Sequence, residues 1–190
     1  GDNKLYWPNV TTEAKNKDIG LGKIARPGDT IVDTITYTGF EPGVEYVVDG
    51  ELMGKTSAGD ATGTSVAAGH ATFTTTKTSG AVQVEFVVPD SGTSEKGMQF
   101  VAFEKVTRSD IQVAAHADLS DARQTVVAPG TTTNAVNADP KLAKLATPGS
   151  EIVDSITYTQ LQVGKRYVAS GELFADIDGV MTPTSITAQT

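Results

Sequence analysis

The chain has 190 residues, 38% of them hydrophobic and 6% aromatic, enough for one ordinary core and part of a second. Its formal charge of -8 and pI near 4.7 argue against nucleic acid or an anionic membrane surface as partner, since both need clustered Lys and Arg. Apolar runs are short, the longest near 82–88, so none spans a bilayer. There is no cysteine, which suits a cytosolic protein or an exported one stabilised by another route. No signal peptide opens the chain, and the leading Gly1 fits a processed or tag-cleaved product.

Thr, Gly and Val dominate while Leu is sparse, a composition of strand formers broken by Gly and Pro. In chain order, alternation predicts strands over 31–38, 45–53, 71–75, 82–88, 99–106, 112–116 and 122–127. Turns separate them at Arg26-Pro27-Gly28, Glu41-Pro42-Gly43, Thr78-Ser79-Gly80 and Pro89-Asp90-Ser91-Gly92. Seven or so short strands without a long helix give an all-β expectation: an antiparallel sandwich of immunoglobulin type, with a small barrel as the lesser alternative. The longest irregular stretch is expected over 55–69.

The sequence then repeats itself. Residues 11–52 recur without a gap as 132–173, shifted by 121 positions (154 − 33), with about half the positions identical, among them Asp33/Asp154, Tyr37/Tyr158 and Gly50/Gly171. A period this long describes tandem modules, each with its own core. The expected domains are a complete module over 1–127 and the N-terminal part of a second over 128–190, joined by about one to three linker residues near Pro129. The second module keeps Thr132 and Asp154 but has no counterpart of residues beyond about Gly69, so it is expected to be a proteolysed or split chain, or one completed by a separate chain.

Several polar residues fall on the wrong face of their strands. Within 31–37, alternation sets Asp33 with Ile31, Ile35 and Tyr37 on the apolar face. A carboxylate there is costly unless paired or protonated, and its pKa should rise. Within 100–106, Glu104 shares a face with Phe100, Ala102 and Val106, and Gln124 is expected inward beside Ala122 and Val126. His116 lies eight residues before Gln124 (124 − 116). Taken singly, each is more often a satisfied core or rim residue. Together, a His, two inward acids and an inward carboxamide make a constellation able to activate an acyl centre that still needs a nucleophile.

Val101-Ala102-Phe103-Glu104, the block from His116 through Asp118, Asp121 and Gln124 to Thr125, and the upstream segment 31–37 resemble the VaFE-repeat, or ester-bond, immunoglobulin-like domains of Gram-positive surface adhesins. The resemblance covers about 8–127 and resumes from Pro129 to the chain end. It implies an ester between a Thr of the first strand and a Gln of the last, formed once with loss of ammonia, so the chain is not an enzyme in the turnover sense. It further implies Thr11 as nucleophile, Gln124 as acyl donor, His116 as proton carrier, and a protonated Asp33 and Glu104 pair that polarises the carboxamide. Thr132 and Asp154 are the second-module equivalents. Strict alternation instead puts Thr12, with Val10 and Ala14, on the apolar face, so Thr12 stays open beside Thr11.

The family also implies a cell-surface location with wall anchoring in the parent protein, no cofactor and no metal. Implied partners are neighbouring modules of the same shaft and possibly a complementing chain. Three other readings were weighed. Lys23 and Lys144 recur in register, as an isopeptide domain would require, but 110–127 contains no Asn, leaving only Asp118 or Asp121. A ligand-binding tip would carry aromatic-rich insertions, and 55–69 is mostly Ala, Gly, Ser and Thr. Asp176-Ile177-Asp178-Gly179 lacks the later Glu of a calcium loop and reads as a turn. His70 has no chemical neighbour in sequence and reads as a surface residue.

Overall fold

A computed structural model describes residues 3–56, 62–90 and 97–190. The first repeat contributes β1 (Asn9–Asn16), β2 (Thr30–Thr38), β3 (Glu45–Lys55), β4 (Thr64–Thr74), β5 (Gly80–Val87), β6 (Gln99–Arg108), β7 (Ile111–His116) and β8 (Thr125–Val127). These form two antiparallel sheets: β1-β2-β5, and β4-β3-β6-β7 with β8 also paired to β6. The molecule is all-β, with immunoglobulin-like sandwich layering.

The two sheets meet because their inward rows are apolar. In β2, Ile31, Ile35 and Tyr37 are buried while their neighbours are not, and in β3 Tyr46, Val48 and Leu52 do the same from the opposite sheet. Tyr37, Phe40, Tyr46 and Phe73 form one aromatic cluster, with ring centroids 4.5 to 6.3 Å apart. A short type of hairpin, with Ser109 and Asp110 both at positive φ, turns β6 into β7.

Two expectations about elements change. Strand β4 starts at Thr64, so residues 64–69 of the stretch expected to be irregular are sheet. Its small residues serve close packing: a Cβ on Gly69 would stand 2.4 Å from Val84 Cγ1, and one on Gly50, opposite it in the ladder, 2.6 Å from Phe86 Cζ. Positions 57–61, within that stretch, and Ser91-Gly92 of the expected turn lie outside the described residues. The last expected strand is also shortened. Residues 121–125 make turn bonds, Gln124 N to Asp121 O and Thr125 N to Ala122 O, so Ala122 is exposed rather than inward.

The second repeat supplies β9 (Gly130–Asn137), β10 (Ile152–Thr159), β11 (Ser170–Ile177) and β12 (Val180–Gln189), paired as β9–β10 and β11–β12. The first ladder copies β1–β2 residue for residue: Thr133 faces Ile156 as Thr12 faces Ile35, and Ala135 faces Asp154 as Ala14 faces Asp33. Asp176 to Gly179 is a hairpin turn, with Asp178 and Gly179 at positive φ and Gly179 N bonded to Asp176 Oδ1.

Candidate functional site

Between the two sheets lies a polar cluster inside an otherwise apolar layer. Asp33 comes from β2 in one sheet and Glu104 from β6 in the other, both buried, as the strand parity of each segment requires. Gln124, fully buried, enters from the turn before β8 and donates its Nε2 proton to Glu104 Oε2 at 2.8 Å. Thr12, 2% exposed, points inward from β1 between Val10 and Ala14.

Thr11 faces solvent. The family register pointed to Thr11, but β1 runs as a regular strand from Asn9, with no irregular start to shift its parity, so the inward hydroxyl belongs to Thr12. The same parity moves the second-repeat counterpart from Thr132, which is exposed, to Thr133; Thr133 and Asp154 are exposed as well.

Five buried oxygens in this cluster have no hydrogen-bond partner among the described residues: Thr12 Oγ1, both carboxyl oxygens of Asp33, Glu104 Oε1 and Gln124 Oε1. Such a density of orphaned acceptors is costly unless protons are placed among them. Two ionised carboxylates cannot bond each other, whereas a proton on Glu104 turns it into a donor toward Asp33. Burial, then the proton shared with Asp33, then the Asp33 charge push the Glu104 pKa up to about 10. The Gln124 amide and the Thr12 hydroxyl, both at the same carboxyl, oppose that shift. Asp33 is raised by burial, offset in part by the Glu104 proton and by the charges of Lys23 and His116. The acid pair therefore keeps a proton at neutral pH.

His116 ends β7 directly opposite Glu104 in the ladder, and its Nε2 meets Asp121 Oδ2 at 2.9 Å. It is partly buried at the rim of the cluster. The spacing of the 116–125 block now has a mechanical account. Asp118 Oδ1 accepts the Ser120 N–H and hydroxyl, turning the chain. Asp121 Oδ1 accepts Arg123 N and its carbonyl accepts Gln124 N and the Thr125 hydroxyl, so one residue orients the histidine and shapes the turn that carries the glutamine. Lys55, buried, ties this turn to β3 through Leu119 O at 2.6 Å. This role of Asp121 goes beyond the motif read from the sequence; its signal there is its place five residues after the histidine and three before the glutamine.

The remaining candidates sit elsewhere. Lys23 Nζ donates to the carbonyls of Ala14 and Arg123, not to a carboxylate. His70 has a neighbour that sequence spacing hid, since β3–β4 pairing sets it opposite Asp49, with Nδ1 2.9 Å from Oδ1 on the exposed outer face.

The family model of the T-Q ester bond containing domain matches residues 8–128 and again 129–190. The chain belongs to that family. Two solved structures share its fold, both of a bacterial adhesin from Mobiluncus mulieris containing intramolecular disulfide, isopeptide and ester bond cross-links. They are 15% identical to this chain and cover 80% of it, with TM-scores of 0.56 and 0.57 over 75% and 76% of their own lengths. No curated protein matches this chain.

Proposed function

We propose that residues 8–128 are a structural module that cross-links itself once, by an ester between Thr12 Oγ1 and the Gln124 side-chain carbonyl carbon. The observation that carries this reading is that the Gln124 carboxamide bonds the buried, proton-holding Glu104 while the buried Thr12 hydroxyl, with no hydrogen-bond partner among the described residues, faces the same carboxyl group. A half-turn of the carboxamide exchanges its oxygen and nitrogen within the same envelope and brings the carbonyl oxygen to Glu104 Oε2, to which the pair's proton moves from the side facing Asp33. That contact polarises the carbonyl for attack.

The step then balances without an oxidant or cofactor. The Thr12 oxygen bonds to the Gln124 carbonyl carbon, and its proton passes to His116, held by Asp121. His116 returns that proton to the departing nitrogen, the carbon–nitrogen bond breaks, and ammonia leaves. Nothing turns over afterwards.

The bond joins the first strand to the segment just before the last, so load entering at the module's ends passes through a covalent link instead of peeling β1 from β2. A module with this property suits the shaft of a Gram-positive surface adhesin, anchored to the cell wall and flanked by like modules. The adhesin description of the two similar folds supports that setting. No aromatic-rich insertion among the described residues favours a ligand-binding tip instead.

Intact mass tests the chemistry. The purified chain should be lighter than its sequence by one ammonia, and alkali should remove the cross-link, whereas an isopeptide would survive. A full sequence mass, or a deficit that persists in Thr12→Val, would sink the proposal.

A further inference from the structure

We propose that Lys23 is a positioning residue for the cross-link, the wedge that seats the glutamine-bearing turn against β1; the inference rests on the ester reading above. Strand β1 pairs with β2 along one edge only. Its other edge faces the turn that carries Gln124, where Ala14 N donates to Arg123 O at 3.0 Å. Ala14 is two residues from Thr12 on the same inward row, and Arg123 immediately precedes Gln124. This one main-chain bond therefore sets how far the hydroxyl stands from the carboxamide.

Lys23 holds that junction from both sides. Its ammonium donates to Ala14 O and to Arg123 O, two acceptors of different segments that would otherwise repel each other. Its own carbonyl accepts Val127 N at 2.8 Å, and the next residues continue the contact through a parallel bridge from Ile24 to Val127 and Ala25 N to Val127 O at 2.8 Å. One residue thus fixes the chain on either side of Gln124. The loop presenting it is itself braced by Asn16, buried, whose Nδ2 donates to Ile24 O at 2.9 Å and to Asp29 Oδ2 at 2.8 Å.

The second repeat carries the same contacts on its first strand: Lys144 donates to Ala135 O, the counterpart of Ala14 O, and at 2.7 Å to Asn134 Oδ1, while Asn137 donates to Leu145 O as Asn16 does to Ile24 O. The Lys23 charge also tempers the rise of the Asp33 pKa, but its two carbonyl contacts act on distance, so small displacements there should be felt in rate more than in stability.

The test follows ammonia loss by intact mass in the full chain after cell-free synthesis, for wild type, Lys23→Met, which keeps the half-buried stem, and Lys23→Arg, which keeps a cation with several donors. Folded fraction is read in parallel by circular dichroism. Lys23→Met slower by about tenfold or more at unchanged folded fraction, with Lys23→Arg restoring most of the rate, supports the inference. Lys23→Met at the wild-type rate overturns it, as does equal slowing in both variants, or slowing that tracks loss of folded protein. Wild type that never loses ammonia overturns the ester reading itself, and the inference with it.

Discussion

Thr12→Val isolates the contribution of the cross-link better than any other substitution. Valine matches threonine in shape and in strand preference, and the hydroxyl it removes has no hydrogen-bond partner among the described residues, so packing and polar satisfaction change by within about 1 kcal/mol. What is lost is the covalent loop from 12 to 124, or 113 residues (124 − 12 + 1). Loop-closure entropy for that length, taken by analogy with a disulfide, is about 5 kcal/mol. For a module of this size each kcal/mol moves Tm by roughly 3 to 5 °C, so Thr12→Val should melt about 15 to 25 °C below wild type. Thermal denaturation by circular dichroism, paired with intact mass, makes the measurement, and Thr11→Val is the control: exposed, it should keep both the ammonia deficit and the wild-type Tm. Wild type and Thr12→Val melting within a few degrees of each other, or loss of the deficit in Thr11→Val, would refute the reasoning.

Further expectations concern the acids, the histidine and the sheet packing. With Thr12 and Gln124 unjoined, Glu104 is pushed up to about 10 in the folded state from an ordinary value of 4.5, and Thr12→Val removes one of the groups that oppose the shift. The folded state therefore binds the extra proton, and stability is greatest below about pH 4.5 on this account and falls as pH rises toward 10. The slope should be no steeper than about 1.4 kcal/mol per pH unit, and urea melts from pH 5 to 9 should flatten when Glu104→Gln is added. His116→Ala should slow ammonia loss by at least about a hundredfold, and Asp121→Asn by a factor between about ten and a thousand, in time courses on folded protein; an unaltered rate in either removes that residue from the proton path. Gly50→Ala should destabilise by about 1 to 3 kcal/mol through Phe86 and Val84, while Gly171→Ala, whose Cβ would meet nothing within 4 Å, should leave the melt unchanged.

Much of this arrangement was legible because strand parity is a strict rule. Asp33 and Glu104 could be placed inward from their neighbours alone, since β2 alternates throughout and β6 alternates from Ala102 to Val106. The same rule set Thr12 inward and Thr11 outward, as β1 shows, where the family register pointed to Thr11. Parity failed at Ala122, where turn bonds around Asp121 replace the ladder, and Gln124 is buried by the turn and not by a strand. Strand β4 was shortened in the sequence reading because its Gly, Ala and Ser imitate a loop, when their small size answers the bulk of Val84 and Phe86 beneath them. The Asp49–His70 pair and the Lys23 wedge were beyond reach, since both depend on which segments the topology brings side by side.

The order of elements along the first module carries a temporal meaning. The hydroxyl lies on the first strand and the carboxamide on the turn just ahead of the last, with both sheets needed to bring Asp33, Glu104 and His116 around them. A chain emerging from its amino end thus exposes its nucleophile early and cannot spend it until the closing segment has arrived in register. Under the proposed chemistry the ester, once made, would be a record that the whole module was synthesised and correctly closed. Ammonia released from a population of such chains counts completed folds, one molecule for each.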